Sequence, residues 1–273
     1  MSNAFDFTPL LRAGLPAAAA KFTGSPKYNF VGGHGDQDQF PVDGVIAAAN
    51  TALRREGRTL ATYGFGIDGP QGHRGLREFL VRKLKSDAGI DCTIDNILIT
   101  SGSLQALDLV NGVFLAPGDT VVIERDCYQG TLNRYAKLGV HAVGIPLDRD
   151  GMRIDALSNA LDDLKRRGVR AKFIYTIPTV HNPTCTILPE DRRVALLKLA
   201  QAHGVPIFED DCYCDIIWDG ERPPALYAMS QHGGVIHIGS FSKSIGPALR
   251  VGYIVAPWDL MTRILPLKQD AGS

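Results

Sequence analysis

The sequence predicts an α/β domain built on a mostly parallel, seven-stranded sheet with helices on both faces. Two observations carry that reading. From residue 97 the chain repeats one unit, an apolar run, a small-residue turn and a helical stretch, which is how strands alternate with covering helices. The runs are also apolar with little alternation, as strands hidden on both faces are. With 273 residues, 45% of them hydrophobic, the chain can bury one large core or two modest ones.

Taken in order, residues 1 to 30 hold Pro9, Pro16, Pro26 and an alanine run, and read as an arm with one short helix. The Gly-x-Gly at 33 to 35 has neither a strand before it nor a helix directly after, so it is no dinucleotide fingerprint. Asp43 to Glu56 reads as a helix. Tyr63 then leads into a glycine-rich loop from Gly64 to Gly72. Arg74 to Lys85 is an amphipathic helix, with Leu76, Phe79, Leu80 and Leu84 at helical spacing. Strands are expected at Ile97 to Thr100, Thr120 to Glu124, His141 to Ile145, Lys172 to Thr176, Val205 to Glu209, Val235 to Ile238 and Val251 to Val255. Helices are expected at 103–115, 128–138, 153–167 and 189–202. Ligands of such sheets gather beyond the carboxyl ends of the strands, and chemistry is sought there.

Lysine plus arginine equal aspartate plus glutamate at 29 each, with no long run of one sign, so nothing points to nucleic acid or an anionic membrane. No apolar run approaches the ~20 residues of a membrane span. The five cysteines lack the paired spacing of a zinc site and fit a reduced, cytoplasmic protein.

Several groups fall just after predicted strands. Lys243 stands on a loop with Ser240, Ser242 and Arg250, where its amine can act as a nucleophile and its neighbours can hold a phosphate; a surface lysine in a turn is the alternative. Ser101, Gly102, Ser103, Leu104 and Gln105 open a helix whose first amides suit an anion, or simply cap it. Tyr128 offers a ring that stacks on a flat ligand. Asn182 lies in a turn made by Asn182-Pro183. Glu209, Asp210 and Asp211 crowd a strand end beside Tyr213, which requires compensating cations or hydrogen bonds; a solvated loop or a divalent-cation site are the other readings.

These stretches resemble, in order, the motifs of class I/II aminotransferases, fold type I enzymes that use pyridoxal 5′-phosphate (PLP), and most of all the 2-aminoadipate and broad-specificity transaminases. The Ser-Phe-Ser-Lys at 240–243, followed by Leu-Arg-Val-Gly, resembles the cofactor-lysine segment. The resemblance implies that Lys243 carries PLP as a Schiff base and moves the proton at the substrate carbon. It implies that Asp210 pairs with the ring nitrogen, with Asp211 the less favoured partner, and that Tyr213 and Asn182 bond the 3′-oxygen. Tyr128 stacks on the ring, and residues 101–105, Ser240, Ser242 and Arg250 hold the phosphate, with Tyr63 reaching in from the partner of a homodimer. The fold implied is the PLP-dependent transferase large domain. The function implied is amino-group transfer between an amino acid and a 2-oxo acid; a PLP lyase or decarboxylase, or the aminotransferase-like domain of a MocR-type regulator, would share the core. Four residues depart from the pattern: Leu104 for glutamine, Asp126 for proline, His181 for glutamine and Cys185 for glycine. The division expected is 1–60 as arm and part of a small domain, 61–262 as the PLP-binding large domain, and 263–273 as the start of an inter-domain helix, with the small C-terminal domain missing.

Overall fold

The computed structural model describes residues 5–11, 15, 18–29, 32–62 and 68–271. Tyr63 and the start of the glycine-rich loop lie outside them. The chain divides into two units, 1–33 and 34–273. In the first, a 3-10 turn at Thr8–Leu10 is fixed by the Thr8 amide donating to Asp6 Oδ1 at 2.9 Å.

The second unit begins with α1 (Val42–Glu56) and α2 (Arg74–Ala88). Seven strands then form one sheet: β1 (Ile97–Thr100), β2 (Thr120–Glu124), β3 (His141–Ile145), β6 (Ala171–Thr176), β7 (Ile207–Asp210), β8 (Val235–Ser240) and β9 (Gly252–Val255). The helices between are α3 (Ser103–Phe114), α4 (Gln129–Leu138), α5 (Ile154–Arg166), α6 (Glu190–His203), the short α7 (Leu226–Met229) and finally α8 (Trp258–Asp270). A two-stranded ribbon, β4 (Leu147–Asp148) and β5 (Gly151–Met152), precedes α5. Among the described residues no helix is long and apolar enough to cross a membrane.

The sheet order is β1-β9-β8-β7-β6-β2-β3, with only β9 antiparallel to its neighbours. Six strands therefore point the same way, and their carboxyl ends form a single edge. Alternation along each strand divides the core between the two faces. Val121, Ile123, Phe173, Tyr175, Phe208 and Ile236 face α3, α4 and α8, whereas Val122, Ile174, Ile207 and Val235 face α5 and α6. On the first face Phe114, Phe173, Phe208 and Tyr175 meet edge to face in succession, at centroid separations of 6.0, 5.6 and 5.6 Å.

Two strand ends differ from the sequence reading by two residues, while the start of β6, the end of β7 and the start of β9 differ by one. β7 begins at Ile207 rather than Val205, because the Val205 amide closes α6 by donating to Ala200 O at 3.0 Å behind the left-handed Gly204, and Pro206 has no amide to give. β8 continues to Ser240 rather than stopping at Ile238, since Ser240 pairs with Gly252, which also pairs with Thr100.

Candidate active site

The carboxyl edge collects the sequence-predicted groups from five strand ends. After β1 the chain turns at Gly102, φ 76°, and enters α3 at Ser103. The amides of the first helical turn lack partners within the helix, and the positive end of its dipole lies there. The Ser101 amide is engaged, donating to Gln105 Oε1 at 2.7 Å. Arg250, itself left-handed at φ 52°, lays its guanidinium across this turn and donates to Ser101 O at 3.1 Å and Pro247 O at 3.2 Å. Two glycines permit that approach. A Cβ on Gly102 would lie 2.2 Å from Arg250 Nη2, and one on Gly252 would lie 2.7 Å from the Gly102 carbonyl carbon. Gly252 carried no signal in the sequence beyond its place in the Leu-Arg-Val-Gly run.

After β2, Tyr128 sits at the N-cap of α4, half-buried; its ring occupies the space a Cβ on Gly130 would need, at 2.5 Å. After β6, the loop holding Asn182 is closed by His181 N–Thr186 O at 2.9 Å and Cys185 N–His181 O at 2.6 Å. Cys185 stands at φ 59°, so the left-handed turn persists without the glycine, and Val180 beside it lies at φ 52°. Asn182 Nδ2 donates to the Tyr213 hydroxyl at 3.1 Å, joining this loop to the one after β7. His181 is buried, its Nδ1 2.8 Å from Thr184 Oγ1 and its Nε2 3.2 Å from Glu124 Oε2, though off the line of a hydrogen bond. Glu124 is filled by Thr176 Oγ1 at 2.6 Å and the Ile177 amide at 2.9 Å.

The three acids at the end of β7 separate by strand alternation. Glu209 faces α6 and α7, where it accepts from the Leu226 and Tyr227 amides at 2.7 and 3.1 Å, contacts His237 Nδ1 at 2.9 Å and has Arg193 at 4.0 Å. Burial pushes its pKa up, but His237, Arg193 and the Leu226 amide outweigh that and hold it below the usual value. Asp211 accepts from Arg222 Nη2 at 2.5 Å. Glu209, Asp211 and His237 could place ligand atoms within 4.8 Å of one another. Arg193 and Arg222 already balance the two carboxylates, so the cluster reads as a neutralised core network rather than a cation site.

Asp210 points the other way. Its Oδ2 accepts from the Tyr175 hydroxyl at 2.6 Å, while Oδ1 is buried with no hydrogen-bond partner. Burial raises its pKa, and Cys212 and Tyr175 pull it only partly back. Lys243 follows β8 on the same edge, its Nζ 5.6 Å from the Tyr213 ring centroid. Burial lowers its pKa, with Cys212 opposing, which favours the neutral amine a nucleophile requires. Ser240 Oγ accepts from the Ser242 amide at 3.1 Å. Burial raises the Tyr213 hydroxyl, which keeps its proton. Tyr175 and Thr131 are the groups that sequence reasoning missed, since a tyrosine within an apolar strand reads as core.

The model of the family described as aminotransferase class I and II matches residues 33–269. The chain belongs to that family. Among its relatives, aromatic-amino-acid aminotransferase 1 of Thermococcus litoralis is 33% identical over 242 residues, 89% of this chain and 57% of that protein. YisV of Bacillus subtilis, named an uncharacterized HTH-type transcriptional regulator, is 35% identical over 211 residues, 76% of this chain and 42% of the other. The solved structure of LysN, α-aminoadipate aminotransferase of Thermus thermophilus, complexed with N-(5′-phosphopyridoxyl)-L-leucine, superposes with a TM-score of 0.80 at 33% identity, covering 89% of this chain and 59% of that one. The chain thus spans about half the length of the relatives it matches. Such a family and fold agree with the resemblance drawn from the motifs, α/β with a mostly parallel seven-stranded sheet included.

Proposed function

We propose that the protein is a PLP-dependent aminotransferase that moves an amino group between an amino acid and a 2-oxo acid. The observation that carries it is the unfilled, buried Oδ1 of Asp210, an acceptor at the same strand edge as a lysine of lowered pKa. A ring N–H is the donor that completes it, and the Gly102 turn with Arg250 above it suits a phosphate dianion. The residues present therefore fit the cofactor.

When bound, PLP supplies an electron sink for the substrate carbon. Lys243 would hold the cofactor through its amine and would be the group to carry the proton at that carbon. Asp210 would keep the ring nitrogen protonated, Asn182 and Tyr213 would bond the 3′-oxygen, and Tyr128 would cover the ring face. Residues 101–105 with Ser240, Ser242 and Arg250 hold the phosphate, Leu104 through its amide alone. Tyr63 of a second subunit completes the phosphate site in a cytoplasmic homodimer. Residues 1–60 form the arm and part of a small domain, 61–262 the cofactor domain and 263–273 the start of the inter-domain helix.

The test is mass spectrometry of the protein incubated with PLP, reduced with borohydride and digested. A pyridoxyl adduct on Lys243, absent in Lys243→Ala, is expected; its absence from the unsubstituted protein would defeat the reading. A regulatory reading is favoured by the match to YisV, named a regulator. Turnover of an amino acid with a 2-oxo acid separates the two, because an adduct without turnover would point to the regulator.

A further inference from the structure

We propose that Tyr175, backed by Thr131, is a positioning residue that turns Asp210 so that its Oδ1 alone faces the ring-nitrogen position. This rests on the cofactor reading above and adds a residue to it that none of the recognised motifs contains.

The geometry is a chain of three side chains. Thr131 Oγ1 donates to the Tyr175 hydroxyl at 3.2 Å, and that hydroxyl donates to Asp210 Oδ2 at 2.6 Å. Thr131 and Tyr175 are wholly buried, so no water competes for these bonds. The directions follow from protonation. Burial and the nearby Asp210 charge hold the Tyr175 pKa well above the usual value, so the hydroxyl keeps its proton and can only give it to the carboxylate. With its proton committed, the phenol oxygen is left as an acceptor for Thr131. One carboxylate oxygen is thereby occupied and the other left open.

The register explains why these residues meet. Tyr175 pairs with Phe208 across β6 and β7, and Asp210 lies two residues beyond Phe208, on the same face. Thr131 is the third residue of α4, and its amide donates at 3.0 Å to the carbonyl of Tyr128, whose ring is the proposed stacking group. The relay therefore couples the element that covers the ring face to the group that meets the ring edge. A phenylalanine at 175 would fill the same core space against Phe208, so the hydroxyl is what the site uses.

The experiment compares the unsubstituted full-length protein with Tyr175→Phe and Thr131→Val. It reads PLP affinity by equilibrium titration, the pH midpoint of the bound cofactor's visible absorbance, and apo-protein thermal unfolding. Losing the hydroxyl removes a hydrogen bond to a charged group, and about tenfold weaker PLP binding is expected for Tyr175→Phe, with a smaller change of the same sign for Thr131→Val. The absorbance midpoint should move upward, because a more basic Asp210 draws the proton from the ring nitrogen and weakens its pull on the Lys243 linkage. In an Asp210→Asn background Tyr175→Phe should change neither quantity, as residues acting through one another are non-additive.

If the apo protein loses stability while affinity and midpoint stay fixed, Tyr175 is core filling and the proposal fails. If the unsubstituted protein takes up no PLP, the cofactor reading fails and this inference with it. Uptake by the unsubstituted protein with unchanged values in Tyr175→Phe overturns the inference alone.

Discussion

The two faces of β7 treat adjacent carboxylates in opposite ways. Glu209 and Asp210 are both almost inaccessible to solvent, at 0% and 5%, so burial does not distinguish them. What differs is the hydrogen-bond capacity left over. Both Glu209 oxygens are filled by amides and His237, with Arg193 nearby, and its pKa is lowered. Asp210 keeps one empty oxygen, and its pKa is raised. The backbone divides along the same line. Among the described residues the non-glycine positions with positive φ are Val180, Cys185 and Arg250, all in loops at the carboxyl edge of the sheet. The closed side holds the fold together; the open side holds groups that a ligand completes.

Isosteric amides at the two acids should separate the two faces most sharply. Glu209→Gln places an NH2 among donors and leaves Arg193 uncompensated, and is expected to cost about 3 kcal/mol in urea unfolding. Asp210→Asn retains an acceptor for Tyr175 and is expected to change apo stability by about 1 kcal/mol or less while weakening PLP at least ~10-fold. Equal destabilisation by both would erase the distinction between the faces.

The pH dependence should also have opposite sign. The lowered pKa of Glu209 contributes stability that is present above the unfolded carboxylate pKa and lost as pH falls through the folded value. The raised pKa of Asp210 gives a contribution present below the unfolded pKa and lost as pH rises through the folded one. In apo protein, the deficit of Glu209→Gln should therefore shrink in acid, and Asp210→Asn should gain on the unsubstituted protein from acid toward neutral pH. Unfolding midpoints measured across that range check both slopes; parallel slopes would refute the assignment.

A smaller effect is expected at the phosphate turn. Gly102→Ala adds a Cβ 2.2 Å from Arg250 Nη2 at a backbone φ of 76°, so the guanidinium must leave. PLP affinity should fall about tenfold, the contribution of a charge-assisted contact. Arg250→Ala in that background should add little. If the two losses simply add, Arg250 is not held over Gly102.

Much of this was legible in the sequence, for reasons that differ by residue. The inner strands were readable because both faces are buried and their runs are apolar, whereas β3 lies at the sheet edge and is largely exposed. The ends of β7 and β8 were not, since Val205 gives its amide to a helix end and Ser240 is held by pairing with Gly252. Lys243, Asp210 and Tyr213 lie in local motifs, and local motifs survive reading along one dimension. Tyr175 and Thr131 do not, because their meeting depends on the register of β6 against β7 and on where α4 packs. A tyrosine in an apolar strand, in step with an acid on the next strand, was the available signal.

The smallest effect tests whether the strain on the open side is real. Cys185 is exposed, so replacing its side chain forfeits no packing, and its amide bond to His181 O is backbone and survives substitution. A left-handed L-residue costs ~1–2 kcal/mol, and glycine's freedom in the unfolded chain returns about 0.5–1 kcal/mol of that. Cys185→Gly should therefore stabilise the protein by about 0.5–1 kcal/mol, read as a higher urea midpoint at unchanged slope. Val180→Gly relieves a similar φ of 52° but removes a half-buried, β-branched side chain, so its gain should be cancelled by lost packing. A Cys185→Gly protein no more stable than the original would mean that the loop carries its left-handed residues without strain, leaving the empty oxygen of Asp210 against the filled oxygens of Glu209 as the contrast between the two carboxylates.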